Sequence, residues 1–339
     1  MDIGNAFPII GGLIYISYTI YLANQEKISG ERGNLLRWLL YGVAILVFLY
    51  GFLIVQLALF QPPPSSNLPQ IDLTAGLIDF GLTCLLCFLS VRIVASEGLR
   101  AQIRRFLPAS ATYDPDSPVH TTAMVLTLAL LAITIGEFVL GGGISGLAQD
   151  IQAGGVGFGD ILYEDTLWVF AAALGIGLLL RRTPQQALER LGLRLPTMQD
   201  LNAGVGVGLL LFGLVIVFGI IWSKVVSPQE LQQQTAASDQ LAQSINSMPI
   251  ALIVSAVVAL GEEIFFRGAL QPVFGIWLTS LFFAVLHTQY TLTPATLLIF
   301  VTSMGLGWLR NRYSTSASIV AHFVYNFIQL ALALLGSSV

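Results

Sequence analysis

The sequence contains few charged residues: 10% of its 339 residues are Asp, Glu, Lys or Arg, whereas 55% are hydrophobic. About one quarter of the residues in an ordinary soluble domain are charged. The shortage of charge therefore excludes an ordinary soluble domain and indicates a chain that resides in a lipid bilayer. The formal net charge of −4 leaves no excess of basic residues for a nucleic-acid surface, so no nucleic-acid partner is expected.

Cysteine is also scarce. Cys84 and Cys87 are the only two cysteines, and their spacing predicts apolar packing on one face of a helix. A zinc site of the cysteine-rich kind would need a second pair. The first hydrophobic stretch has no basic residues before it, so we expect a retained membrane helix there instead of a cleaved signal peptide.

Long hydrophobic stretches dominate the rest of the chain. A hydrocarbon core about 30 Å thick needs roughly 20 apolar residues for each helical crossing. The sequence contains about ten such stretches, which predicts an all-α, polytopic integral membrane protein. The expected crossings lie near residues 7–23, 35–60, 74–95, 121–140, 161–180, 202–223, 249–267, 274–289, 293–309 and 315–336.

The basic residues predict how the chain is oriented in the membrane. Thirteen of the 15 lie in alternate loops, namely Lys27, Arg32, Arg37, Arg92, Arg100, Arg104, Arg105, Arg181, Arg182, Arg190, Arg194, Arg310 and Arg312. The positive-inside rule assigns these loops to the cytoplasm and both termini to the opposite side. We expect a multi-pass protein of a prokaryotic plasma membrane, or of a related organellar membrane.

The pattern of stretches and loops predicts three parts. Residues 1–180 are membrane helices without an assigned role, residues 181–200 form a cytoplasmic amphipathic elbow, and residues 201–339 form a C-terminal helical core. In the elbow, Thr183 can cap a short helix and Gly192 can end it.

Two further patterns concern helix packing and the membrane surface. Gly204 and Gly208 have the small-xxx-small spacing that allows close helix contact. The cytoplasmic segment 96–119 begins with an amphipathic stretch that we expect to lie on the bilayer surface, where its arginines would suit anionic headgroups.

The C-terminal core holds most of the unusual polar residues, beginning with Glu262, Glu263 and Arg267. An ionisable residue in a membrane helix costs about 2.5–3.5 kcal/mol on insertion, so each is a functional candidate. Glu263 and Arg267 have the i, i+4 spacing of a helical ion pair, for which a structural role is favoured. Glu262, rotated by about 100° from Glu263, lacks such a partner and is the expected general base.

Two of the three histidines lie near the end of the chain. His322 and Asn326 have i, i+4 spacing, so both side chains leave one helix face as hydrogen-bond donors. Such a pair can stabilise the oxyanion that forms when water attacks a carbonyl group. A lone membrane histidine such as His287 more often bonds to a neighbouring helix, but the whole polar set favours one shared site.

Depth in the membrane puts a condition on this site. With a rise of about 1.5 Å per residue, Glu262 lies roughly 10 Å from the cytoplasmic end of its helix, whereas His287 lies roughly 20 Å from that end. These residues can meet only if the helix that carries His287 is tilted or broken. Pro272 and Gly275 permit such an irregular entry.

Three motifs on consecutive segments resemble the family of type II CAAX prenyl proteases and bacteriocin-processing enzymes. They are EExxxR (Glu262, Glu263, Arg267), FxxxH (Phe283, His287) and HxxxN (His322, Asn326). Together the motifs are far more specific than any one of them, and the resemblance is best within residues 250–339.

The resemblance implies a glutamate-type intramembrane endopeptidase that cuts near the C-terminus of a membrane-associated or prenylated substrate and uses no metal cofactor. It implies that Glu262 and His287 activate water, that His322 and Asn326 hold the oxyanion, and that the other motif residues support Glu262. The expected partners are a membrane-embedded or lipidated peptide and the bilayer itself.

Other peptidase chemistries fit the sequence less well. Two glutamates and two histidines can bind zinc, but the HExxH helix typical of zinc peptidases is absent. Ser145 lies in a GxSG sequence like that of rhomboid proteases, yet a glycine-rich loop follows where a helix should begin. The GxGD sequence at 157–160 resembles aspartyl intramembrane proteases but lacks a second aspartate motif.

The alternative outside enzymes is a membrane scaffold, immunity factor or transporter that uses the polar cluster for packing. Asp79 and Glu137 are isolated acids in expected membrane helices and leave a transporter possible. Hydrogen bonding between helices is the favoured explanation for both.

Overall fold

A computed structural model describes residues 3–63, 70–140, 158–227, 245, 247–287 and 294–336. The described residues form helices joined by short loops, and no strand occurs among them. The predicted all-α class is therefore confirmed for this part of the chain. Two compact units divide the chain.

The first unit comprises Met1–Leu140 and Ala173–Ala187. Its helices are α1 (Ile3–Ser29), α2 (Asn34–Phe60), α3 (Leu73–Ala95), α4 (Glu97–Phe106) and α5 (Pro118–Leu140). Leu40, Val43, Ile93 and Val125 belong to one buried cluster from α2, α3 and α5. Near them, Arg32 lines a cavity of about 210 Å³ and forms ion pairs with Glu97 and Asp116, which line the same cavity.

The second unit comprises Gly141–Ala172 and Leu188–Val339. The remaining helices are α6 (Phe158–Ile176), α7 (Pro184–Leu191), α8 (Met198–Val225), α9 (Met248–Glu262), α10 (Gln271–Leu286), α11 (Pro294–Arg312) and α12 (Thr315–Gly336). A short π-helix, Glu263–Leu270, joins α9 to α10. Most of α6 belongs to this unit, which also contains every motif residue.

Six helical stretches among the described residues are long and apolar enough to cross a membrane. They are Asn34–Phe60, Leu73–Ala95, Pro118–Leu140, Met198–Val225, Met248–Leu286 and Thr315–Leu335. They indicate a membrane protein, but the expected number of about ten crossings is not confirmed. The two crossings predicted at 249–267 and 274–289 lie in one stretch of 39 residues.

The predicted elbow helix is confirmed as α7. The backbone N–H of Gln186 donates to the Thr183 hydroxyl oxygen at 3.3 Å, and that of Thr183 donates to the Gln186 side-chain oxygen at 2.9 Å. This reciprocal pair is a capping box. Gly192 ends the helix with a φ of 70°, a left-handed conformation that favours glycine.

Close packing of α8 against α12 is also as the glycine spacing predicts. A Cβ atom on Gly204 would lie 2.8 Å from the Ala317 carbonyl oxygen, and one on Gly208 would lie 2.7 Å from that of Ala321. Only hydrogen fits at these two positions. The contact matters for the site because α12 carries His322.

Asp200 ties the first turns of the same two helices together. Its fully buried carboxylate accepts hydrogen bonds from the Ser314 hydroxyl at 2.8 Å and from Arg194 at 3.0 Å. Ser314 in turn caps α12, because its oxygen accepts from the Ala317 N–H at 3.0 Å. These bonds fix α12 along its own axis and so set the depth of its side chains.

We predict that Gly208→Ala lowers the free energy of unfolding by about 1–3 kcal/mol, because the added methyl group meets backbone that cannot move aside. Gly206→Ala is the matched control, since nothing lies within 4 Å of its added Cβ and alanine favours helix. Unfolding in mixed detergent micelles measures both. Equal effects of the two substitutions would contradict the close contact.

Candidate active site

The segment that carries Glu263 and Arg267 is a π-helix, Glu263–Leu270, directly after Glu262. Its last hydrogen bond runs from the Gln271 N–H to the Phe266 carbonyl oxygen, five residues back. Such segments are rare and frequently occur at functional sites. The spacing of the motif predicts an ordinary α-helix, so this feature differs from the expectation.

Pro272 explains why side chains must complete the end of this segment. Proline has no N–H, so it cannot donate to the carbonyl oxygens behind it. Instead, Arg310 Nε donates to the Arg267 carbonyl oxygen at 3.2 Å, and Arg190 donates to that of Gly268 at 2.9 Å. The elbow helix α7 and helix α11 thereby hold the backbone of the candidate site.

The helix that precedes His287 is broken, which is the condition that the sequence predicts for His287 to meet Glu262. Gly275 has φ 81° and ψ 167°, which interrupts α10 near its start. His287 follows the last residue of α10, and its Nδ1 lies 2.8 Å from the Phe283 carbonyl oxygen. The irregular entry that Pro272 and Gly275 predict is therefore confirmed.

Glu263 is fully buried and lies at the centre of the polar cluster. Its Oε2 is 3.3 Å from Arg267 Nε and accepts a hydrogen bond from the Ser318 hydroxyl at 2.6 Å. Its Oε1 is 3.0 Å from His322 Nδ1. The predicted Glu263–Arg267 ion pair is confirmed, and the two further partners come from α12.

The contact with Glu263 determines how His322 is oriented. A carboxylate can only accept, so His322 Nδ1 is the donor in this bond. The other ring nitrogen, Nε2, lies 3.8 Å from Glu262 Oε2. In this orientation Nε2 can donate to an oxyanion only when the imidazole carries both protons, a condition that the HxxxN spacing alone does not reveal.

Glu262 ends α9 and is the carboxylate without a fixed donor. Its side chain is 16% exposed, and its buried Oε2 has no hydrogen-bond partner among the described residues. Glu263, one residue later, has three partners. The separation of roles that the helix rotation predicts is therefore visible in the contacts of the two side chains.

The ring of Phe283 contacts both histidines of the motifs. Its ring centroid is 4.3 Å from that of His287 and 6.3 Å from that of His322. The Arg267 guanidinium lies over the same ring at 4.8 Å, a cation–π contact. Asn326 lies one turn beyond His322 on α12 and is half-buried.

Asp165 is a neighbour of this cluster that the motifs do not identify. It lies on α6 and is 5% exposed. A Cβ atom on Gly261 would lie 2.3 Å from Asp165 Oδ1, so the carboxylate packs against the residue that precedes Glu262. Two features of the sequence could have indicated this neighbour: Asp165 is an acid within a predicted membrane helix, and a glycine precedes Glu262.

The structure describes only part of the residues that belong to the two rival peptidase motifs. Ser145 and Gly157 lie outside the described residues, and Asp160 is in the first turn of α6. Among the described residues, no three His, Cys, Asp or Glu side chains are close enough to hold a metal ion.

The sequence predicts that Asp79 forms a hydrogen bond between helices, and the structure does not show one among the described residues. Asp79 is fully buried, and neither carboxylate oxygen has a hydrogen-bond partner among the described residues. The reason is its surroundings: Oδ1 faces Gly136, which has no side chain, and the edge of the Tyr50 ring lies beside that glycine.

Comparison with known proteins agrees with the motifs. Residues 244–328 match a family model described as type II CAAX prenyl endopeptidase Rce1-like. This confirms the family resemblance for that segment, and the family is one of proteases. A Bacillus subtilis protein described as uncharacterized protein YpbD is 35% identical over 91 residues, which is 25% of this chain and 46% of that protein. The chain thus matches less than half of the length of this relative. No solved structure matches the chain.

The contacts predict opposite behaviour for the two adjacent glutamates. Glu263→Gln leaves the buried Arg267 without a counter-ion and should lower the free energy of unfolding by about 3–5 kcal/mol. Glu262→Gln removes no fixed partner and should change it by less than about 1 kcal/mol. Detergent unfolding of the two variants tests this. Similar destabilisation by both would contradict the separation of roles.

Proposed function

We propose that the chain is a glutamate-type intramembrane endopeptidase that hydrolyses a peptide bond near the C-terminus of a membrane-associated or prenylated protein. The match of residues 244–328 to a protease family supports this class of activity. One observation carries the chemistry: Glu262 Oε2, which is buried and has no donor within the described part of the chain, lies 3.8 Å from His322 Nε2. That gap is too long for a direct hydrogen bond and leaves Glu262 free to bind water.

In the proposed reaction, Glu262 accepts a proton from water, and the oxygen of that water attacks the carbonyl carbon of the scissile bond. His287 helps to position the water. When the C–N bond breaks, Glu262 returns the proton to the leaving nitrogen. Phe283 supports this arrangement, because its ring contacts His287 and reaches the same arginine that balances Glu263.

The oxyanion is the second requirement. We assign its stabilisation to His322 and Asn326, which lie one turn apart on α12. His322 takes part in its doubly protonated form, with Glu263 at 3.0 Å and Glu262 at 3.8 Å as counter-ions. In this scheme Glu263 and Arg267 are positioning residues, because they orient His322 and do not touch the substrate.

The bilayer is part of the proposed function. The six apolar stretches would place the site within reach of a lipid-embedded or lipidated peptide. We also infer that the basic loops face the cytoplasm of a prokaryotic cell or related organelle and that both termini lie on the other side. No nucleic-acid partner is proposed.

We predict that Glu262→Gln lowers peptide cleavage by at least about 100-fold, because it removes the proposed base while keeping the size of the side chain. Cleavage is followed by quantitative proteomics of membrane-protein C-termini in cells, and then with the identified peptide in proteoliposomes. Asp79→Asn is the matched control: it also removes a buried carboxylate, but one that lies in the first unit.

Full cleavage by Glu262→Gln would refute the catalytic assignment. Absence of any cleavage by the wild type, together with destabilisation by Glu262→Gln, would favour the scaffold, immunity or transport alternative.

We predict that the purified protein keeps its cleavage activity after prolonged treatment with a strong chelator. In the proposed scheme, protein side chains alone activate the water and hold the oxyanion, so no metal cofactor is required. Activity that disappears on chelation and returns with added zinc would instead support the zinc alternative.

A further inference from the structure

Helix α6 packs directly onto the segment that carries the motif glutamates. The Trp168 ring centroid is 4.7 Å from that of Phe265 and 5.9 Å from that of Phe266. About two helical turns before Trp168, Ile161 packs against the buried cluster that contains Val254 of α9. Residues 161, 165 and 168 have the i, i+4, i+7 spacing of one helix face, so Asp165 points towards α9.

Glycine at position 261 allows the carboxylate of Asp165 to come this close. A Cβ atom there would lie within 2.3–2.9 Å of three Asp165 side-chain atoms. Asp165 is 5% exposed, and no described lysine, arginine or histidine forms an ion pair with it. Glu262 is the next residue after Gly261, so Asp165 lies beside the backbone that carries the Glu262 carboxylate.

The charges around this contact do not balance if every acid is ionised. The titratable and charged groups around it are Glu164 and Asp165 on α6, Glu262 on α9, Glu263 and Arg267 in the π-helix, His287 after α10 and His322 on α12. Glu263 is already matched with Arg267. A doubly protonated His322 can balance Glu262 at 3.8 Å, but Asp165 then has no cation among the described residues. Two carboxylates in such a poorly hydrated site do not both ionise readily.

We propose that Asp165 and Glu262 form an acid pair that holds one proton between them, in which Asp165 acts as a positioning residue through Glu262. This inference deepens the proposed function and rests on it. When Glu262 is the ionised member, Asp165 keeps the proton and donates it towards the Glu262 carboxylate. Glu262 then takes one proton from the attacking water and gives it to the leaving nitrogen, so the Asp165 proton is unchanged over the cycle.

The kinetic test compares Asp165→Asn with Glu164→Gln in single-turnover cleavage across a range of pH. Glu164 is the matched control, since it is an acid of the same helix with an exposed side chain. Asp165→Asn should slow cleavage by about 10- to 100-fold. It should also reduce the number of coupled ionisations in the pH profile from two to one. Asp165→Glu should restore the two ionisations.

Glu164→Gln should remain within about twofold of the wild type with an unchanged profile. An unaltered pH profile in Asp165→Asn would overturn the acid pair, even if the rate fell.

A second measurement does not depend on cleavage. Infrared titration of the resting protein in D2O follows the protonated carboxyl band that Asp165→Asn removes. Glu262→Gln should move the titration midpoint of that band by more than about one pH unit, because the two groups are coupled.

An unmoved midpoint would overturn the proposal. Wild-type protein that never cleaves a peptide but shows this coupling would instead refute the proposed function and leave the acid pair standing.

Discussion

One buried negative charge, the carboxylate of Glu263, determines the arrangement of the candidate site. An ion removed from water without partners costs several kcal/mol, so the protein must surround this group with donors. Arg267, Ser318 and His322 supply them from two segments of the chain. Because His322 Nδ1 is used in this way, its Nε2 faces Glu262 Oε2, an oxygen that has no hydrogen-bond partner among the described residues. The structural glutamate thus creates the conditions under which its neighbour can act as a base.

The backbone around this charge is irregular, and other parts of the second unit hold it in place. The π-helix and the proline after it leave carbonyl oxygens that Arg190 and Arg310 satisfy. The break at Gly275 lets α10 deliver His287 to the cluster. At Gly261 the missing side chain allows the approach of Asp165. Positions without side chains and positions without donors therefore shape the site as much as the motif residues do.

Local spacing was sufficient to predict much of this structure. The capped elbow helix, the close contact at Gly208 and the Glu263–Arg267 pair all depend on residues a few positions apart. The π-helix was not predicted, because the same spacing also suits an α-helix and long-range arginine contacts complete the segment. The bond between His322 and Glu263 spans 59 residues, so no local pattern reveals it. The number of crossings is not confirmed, and two apolar runs that were expected to cross separately lie in one broken helical stretch.

The orientation of His322 is the central claim, and nitrogen NMR of histidine-labelled protein tests it most directly. The chain has three histidines, so variants of His120 and His287 suffice to assign the signals. We predict that Nδ1 of His322 carries a proton and that Glu262→Gln changes the Nε2 signal while Nδ1 stays protonated. A His322 with a bare Nδ1 and a proton on Nε2 alone would contradict the bond to Glu263 and the roles that follow from it.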